Sequence, residues 1–175
     1  MKINMRKARY DDIDAVAQLY DDLNDYLHRS INYPGWIKGI YPTKKEAVHF
    51  YESNTLYIAE AHSTIVGSLA LTHEPEPENE NWFIQAGDTE IFVIHVFVVH
   101  PNFIRQGIGS AMLQFAHEQA KLNDIKSIRL DVYENNLAAI KTYEKNGYRF
   151  VDKVDIGLGK YGLDLFCLYE KVICM

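Results

Sequence analysis

Residues 98–113 read VVHPNFIRQGIGSAML. An apolar strand runs into His100-Pro101, a basic residue follows, and Gly107-Ile108-Gly109 opens a helix. The first amides of a helix have no carbonyl partner, and the helix dipole is positive at that end. Glycines let a ligand approach the backbone closely. Strand, Gly-x-Gly, helix is therefore a sound cradle for an anion such as a phosphate. The same glycines also suit a plain tight connection between strand and helix, so the pattern alone names no ligand.

Upstream, TEIFVIHVFVVH (residues 89–100) is β-branched and aromatic, without clean alternation. That predicts a strand buried on both faces at the centre of a sheet. Downstream, Ile108, Ala111, Met112, Phe115, Ala116 and Ala120 form one helical stripe as far as Leu122. SIRLDVY reads as the next strand. ENNLAAIKTYEKNGY reads as a helix with Asn135 or Asn136 at its cap and Asn146-Gly147 at its stop. YRFVDKV and LDLFCLYEKV read as two last strands.

Toward the N-terminus, residues 2–8 alternate as a first strand, and Asp11 or Asp12 is placed to cap a helix carrying Ile13, Val16, Leu19, Tyr20, Leu23 and Leu27. Thr43 and Glu46 make a capping-box pattern for a second helix over 44–53. LYIAEAHSTIVGSLALTH reads as a hairpin with strands 55–61 and 65–73, and HEPEPENENW as a polar, Pro-broken loop. The order is β-α-α-β-β-β-α-β-α-β-β: α/β in its middle, antiparallel at its ends.

The bulk numbers fit that picture. The 175 residues suit a single domain, 1–175, with no internal repeat and no shift in composition that marks a linker. With 47% hydrophobic and 24% charged residues, the chain is expected to be globular. A net charge of −6 argues against nucleic acid as a partner, which needs a basic surface, and is compatible with a cationic substrate. No uncharged run approaches the roughly 20 residues of a membrane helix, and the N-terminus carries no apolar signal segment, so no membrane partner and a cytoplasmic location are expected. Cys167 and Cys174 fit no zinc pattern, and no metal is expected.

Three users of a phosphate cradle compete. A P-loop needs Gly-Lys-Ser/Thr, but Gly109 is followed by Ser110-Ala111. A Rossmann dinucleotide site wants a third small residue where Met112 stands, although Asp131 lies near the expected acid position. The third user is coenzyme A. Val99-His100-Pro101 followed by Gly107-Ile108-Gly109-Ser110-Ala111, together with Asn136, Ala139, Tyr143, Gly147 and Tyr148 at their spacing and Tyr169-Glu170-Lys171 near the end, resembles the GNAT superfamily of acetyltransferases over most of the chain. The one departure is Ile104, where that family carries Gln or Arg three residues before Gly107.

The resemblance implies a GNAT-type acyl-CoA N-acyltransferase fold, with a mixed, mostly antiparallel sheet of about seven strands flanked by about four helices. It implies acetyl-CoA as cosubstrate and a primary amine as acceptor. Backbone amides of Arg105, Gln106, Gly107, Ile108, Gly109 and Ser110 would hold the pyrophosphate, with Arg105 adding charge in place of Ile104. Phe97, Val98 and Val99 would align the pantetheine arm, with the amide of Phe97 meeting the thioester carbonyl. Asn136 and Ala139 would lie along the cofactor, and Tyr143 would protonate the departing thiolate.

Acetyl transfer also needs a base for the amine. Glu90 and His95 are the candidates, His95 because its ordinary pKa suits neutral pH. Strand parity puts them on opposite faces unless a bulge intervenes, and GNAT proteins often carry one here.

NYPGWIKGIYP (residues 32–42) suggests an acceptor-side wall with Tyr33, Trp36 and Tyr41, or a simply packed loop. Glu74, Glu76, Glu78 and Glu80 could attract a polyamine or basic peptide. Two other readings stay open: a non-catalytic acyl-CoA-binding sensor of the same fold, and a Rossmann-type dinucleotide-binding protein. The last two strands are apolar enough to pair across a homodimer or to complete the sheet.

Overall fold

The computed structural model describes residues 2–74, 79 and 81–173. The elements are β1 (Asn4–Lys7), α1 (Ile13–Arg29), α2 (Lys44–Glu52), β2 (Leu56–Ala61), β3 (Thr64–Thr72), β4 (Ile91–Val99), α3 (Ile108–Leu122), β5 (Ser127–Tyr133), α4 (Leu137–Lys145), β6 (Arg149–Val154) and β7 (Phe166–Val172). The strands form one seven-stranded sheet in the order β1-β2-β3-β4-β5-β7-β6. β4 and β5 pair in parallel, whereas β1–β2, β2–β3, β5–β7 and β6–β7 pair antiparallel. This is the mixed, mostly antiparallel sheet expected, and it excludes the all-parallel Rossmann arrangement. Among the described residues, no helix is long and apolar enough to cross a membrane.

Local chemistry explains most element ends. Thr43 Oγ1 accepts from Lys45 N–H, and Glu46 Oε2 accepts from Thr43 N–H at 2.6 Å, the expected capping box. Asn136 Oδ1 caps α4 by accepting from Ala139 N–H at 3.3 Å. The start of α1 differs from expectation. Residues Tyr10–Asp12 form a 3-10 turn ahead of it. The Asp12 carboxylate is spent on Arg9 N–H (2.7 Å) and on both terminal nitrogens of Arg6 (2.6 and 2.9 Å). It ties the turn to β1 rather than capping the helix. The β2–β3 hairpin turns on His62 and Ser63, both left-handed (φ 48° and 61°), without the usual glycine.

Contacts divide the chain into two compact units. The first holds residues 1–32, 36–71 and 95–115, and the second 33–35, 72–94 and 116–175. In the first, Ile13, Val16, Leu19 and Tyr20 of α1 join Ala47 and Phe50 of α2, Leu56, Ile58 and Ala70 of the hairpin, and Val96 and Val98 of β4 in one buried cluster. Amphipathic helices gain most of their stability from such burial.

The same unit explains how Met112, too large for a Rossmann third glycine, still sits under a close helix–strand contact. The strand supplies the room. A Cβ built on Gly67 of β3 would stand 2.7 Å from Met112 Sδ and 2.9 Å from the Val98 carbonyl oxygen. Only glycine admits that approach.

In the second unit, Ile128, Leu130 and Val132 of β5 are buried on one face with Tyr169 of β7. Across the opposite face runs a strap from the β3–β4 connection. Glu170, wholly buried, accepts from Arg129 Nε (3.1 Å), Ser127 Oγ (2.5 Å) and Phe83 N–H (2.5 Å). Arg129 also donates to the Ile84 carbonyl (2.7 Å) and lies 4.3 Å above the Trp82 ring. Asn79 and Asn81 each donate to Asp152 at 2.9 Å.

Two substitutions test these arrangements by urea unfolding. Gly67→Ala forces Met112 and Val98 apart and is expected to cost about 1–3 kcal/mol. Arg129→Met strands the Glu170 carboxylate and is expected to cost about 3–5 kcal/mol, with the double variant Arg129→Met/Glu170→Leu recovering part of that loss.

Candidate active site

Strand β4 brings the first set of candidate residues. Val96 is left-handed (φ 44°), a conformation unfavourable to a β-branched residue, and it breaks the pleat as a bulge does. From there the strand alternates: Val96 and Val98 are buried, while His95, Phe97 and Val99 are half-buried. Val98 has no exposed surface, in its side chain or its backbone, so it shapes the strand rather than meeting a ligand. His95 stacks on Phe50 of α2, with ring centroids 6.0 Å apart and planes within 12°.

The chain then turns into the glycine loop. Arg105 and Gly107 are both left-handed (φ 61° and 82°). Backbones that interleave left-handed residues turn successive N–H groups to one side and make anion-binding concavities. Nothing lies within 4 Å of where a Gly107 Cβ would be, so the loop is open to a ligand. Arg105, Gln106 and Gly107 are exposed, whereas Ile108 packs inward and holds the helix start in place. Ile104 is 42% exposed and offers no polar atom from its side chain. α3 begins at Ile108, with Ala111 N–H bonded to the Gly107 carbonyl (3.0 Å). These residues fit a phosphate held by backbone amides, with Arg105 as the neighbouring charge.

The second unit carries the α4 candidates. Asn136 spends Oδ1 on the cap, which leaves its NH2 end as the one suited to donate to a ligand. Ala139 is half-buried one turn on. Tyr143 is 6% exposed and sits among aromatic rings, 5.9 Å from Tyr148 and 6.5 Å from Tyr169 between centroids. Burial first, and the Asp131 charge second, push its phenol above the usual tyrosine range. Such a phenol keeps its proton at neutral pH and can donate it only to a strong base. Tyr169 donates to Glu144 (3.0 Å), and Lys171 donates to the Asn146 carbonyl (2.9 Å), so both ends of α4's last turn are fixed.

The two base candidates fall in different units. Glu90 lies in a 3-10 turn ahead of β4, is ion-paired to Lys126 and accepts from Gly87 N–H at 3.0 Å. Lys126 chiefly, and that amide next, hold its carboxyl below the usual range, which weakens it as a base. On the acceptor side, Trp36 packs against the core of the first unit and meets Tyr41 edge-on at 5.7 Å, as in a packed loop. Of the acidic run, only Glu74 lies within the described residues; Glu76, Glu78 and Glu80 lie outside them, as does Cys174. Cys167 is buried on β7.

The sequence reading missed two features of this region. Gly67, which lets α3 approach β3, was visible only as an isolated strand glycine. The Arg129–Glu170 pair was half visible in Tyr169-Glu170-Lys171, but nothing in the sequence tied it to Trp82–Ile84.

Known proteins resemble this chain in sequence and in fold. An uncharacterized N-acetyltransferase of Methanocaldococcus jannaschii is 29% identical over 135 residues, covering 73% of this chain and 57% of that relative, so the chain spans just over half its length. The spermine/spermidine N(1)-acetyltransferase of Bacillus subtilis is 25% identical, covering 89% of this chain and 93% of that protein. A Salmonella typhimurium acetyltransferase structure with its cofactor acetyl-CoA superposes with a TM-score of 0.68 at 14% identity, covering 98% of this chain and 94% of the other. The model of the acetyltransferase (GNAT) family matches residues 16–148, and the chain belongs to that family.

Proposed function

We propose that the chain, as one N-acetyltransferase domain over residues 1–175, moves the acetyl group of acetyl-CoA to a primary amine. The observation that carries this reading is the open glycine loop, with left-handed Arg105 and Gly107 at the start of α3. Amides of Arg105, Gln106, Gly107, Gly109 and Ser110 hold the pyrophosphate, and Arg105 supplies the charge that Ile104 lacks. Backbone groups of Phe97 and Val99 orient the pantetheine arm. The Phe97 amide stabilises negative charge on the thioester oxygen as the amine attacks.

The C–S bond then breaks, and Tyr143 gives its proton to the sulfur. A phenol that burial keeps protonated suits that role, because a thiolate leaving in a dry site is a strong enough base to take the proton. The attacking amine must arrive uncharged. His95, half-buried beside the bulge, is the better suited of the two candidates to take its proton, since the Lys126 ion pair lowers the basicity of Glu90. The acceptor is a primary amine on a small molecule or on a protein. Likeness to a spermine/spermidine acetyltransferase and the net charge of −6 support a cationic acceptor.

The test is steady-state kinetics with acetyl-CoA against putrescine, spermidine, spermine and a lysine-containing peptide. Tyr143→Phe is expected to lower kcat about 100-fold or more while leaving the KM for acetyl-CoA within twofold. Unchanged kcat in that variant removes Tyr143 from the chemistry. Tight acetyl-CoA binding with no turnover on any amine favours a sensor instead.

A further inference from the structure

His100 stands between β4 and the glycine loop, and the chemistry above does not use it. Its main chain is fixed: the His100 N–H donates to the Val66 carbonyl of β3 (2.9 Å), and its carbonyl accepts from Phe103 N–H (2.9 Å). Its side chain makes two further contacts. Nδ1 accepts from Asn102 N–H at 3.1 Å, capping the short turn Pro101–Phe103, and Nε2 stands 3.4 Å from Asp22 Oδ2 on α1. Asn102 in turn accepts from the Gln106 side chain (3.3 Å), and Gln106 lies between the two left-handed residues of the loop. We propose that His100 is a positioning residue for the phosphate cradle, an N-cap that links α1 to the glycine loop only while its imidazole is neutral. The inference rests on the reading that this loop holds acetyl-CoA.

The two side-chain contacts fix the tautomer. A ring nitrogen that accepts from an amide carries no hydrogen, so the proton sits on Nε2, facing Asp22. The neutral ring therefore makes both contacts at once. A second proton must go to Nδ1, which then cannot accept. Asn102 N–H loses its partner, and the ring gains a charge.

The groups facing that charge are known. Asp22, Asp25, Tyr26 and Arg29 of α1, and Ser30 just after it, line an open pocket of about 400 Å³ with His100, Pro101 and Asn102. Asp22 and Asp25 attract an imidazolium, Arg29 opposes it, and Lys38 already neutralises much of Asp25 at 2.7 Å. Phe103 meets the ring edge-on at 5.6 Å and carries no charge. Acidification thus strengthens the tie to α1 while it removes the cap on the turn that leads into the cradle. Serine, threonine, aspartate and asparagine are the usual N-caps. Histidine differs from serine, threonine and asparagine in that a single added proton abolishes its acceptor.

Two substitutions separate the contacts, because asparagine places an oxygen near the Nδ1 position and glutamine a nitrogen near Nε2. Free coenzyme A is the probe, titrated calorimetrically into the full chain at about pH 8 and about pH 5.5. His100→Asn keeps a cap that cannot be protonated; it is expected to bind within twofold of the parent at the higher pH and to show only the pH dependence of the ligand itself. His100→Gln keeps the reach to Asp22 but loses the cap; it is expected to bind roughly fivefold more weakly at the higher pH. The parent should resemble His100→Asn at the higher pH and fall toward His100→Gln at the lower. A His100→Gln protein that binds as tightly as the parent, or a His100→Asn protein with the parent's full pH profile, overturns the proposal.

Backbone NMR without ligand supplies an independent reading. The Asn102 and Gln106 amide signals should move on acidification in the parent and stay in His100→Asn. A parent that binds no coenzyme A at either pH defeats the acetyl-CoA reading, and the Asn102 signal still decides the role of His100.

Discussion

The cradle depends on how closely α3 can lie on β3. At Gly67 the helix side chain Met112 and the carbonyl of Val98 both occupy space that any Cβ would claim. Strand and helix are thereby locked at a separation that one methyl group would alter. Val98 belongs to the same buried cluster that α1 and α2 cover, so the position of the helix start is inherited from the core of the first unit. Close packing transmits such constraints because interiors have little free volume to absorb them. The loop before the helix can then hold two residues in left-handed conformations without drifting from its geometry.

In the second unit a different constraint does the comparable job. A carboxylate with no exposed surface gains little net stability from its ion pair, because desolvation offsets most of the attraction. Its value is directional. Glu170, on β7, accepts from two donors on β5 and one on the β3–β4 connection, and so sets where Trp82–Ile84 cross the sheet. The opposite face of the same strands is left to aromatic rings, and there Tyr143 is surrounded by Tyr148 and Tyr169. One face of β5 and β7 thus carries the buried ion pair, and the other carries Tyr169 against the rings of α4 and Tyr148.

Much of this was legible in the sequence, and the legible parts share a cause. The order of elements, the capping box of Thr43 and Glu46, and the Asn136 cap all rest on neighbours within one turn of chain. What escaped depends on partners far along the chain. Asp12 looked like a helix cap and is instead claimed by Arg6, which charge complementarity across a strand and a turn decides. The missing alternation in β4 was read correctly as a buried strand, but the left-handed Val96 that shapes its second half leaves no local mark. Glu90 stands as a candidate base in the sequence, and only the structure shows Lys126, from the far side of α3 in sequence, lowering its basicity. Of the candidate site, the motifs identified the residues; the electrostatic state of each had to come from its surroundings.

The strap has a practical consequence. The chain has two tryptophans, and each compact unit owns one. Trp36 packs on the largely aliphatic core of the first unit, whereas Trp82 is 7% exposed beneath the Arg129 guanidinium in the second. The surroundings of the two indoles thus differ: one lies under a guanidinium, and the other lies against an apolar cluster. Each unit therefore carries its own internal reporter, and replacing either tryptophan with phenylalanine leaves the remaining one to follow the unit that holds it.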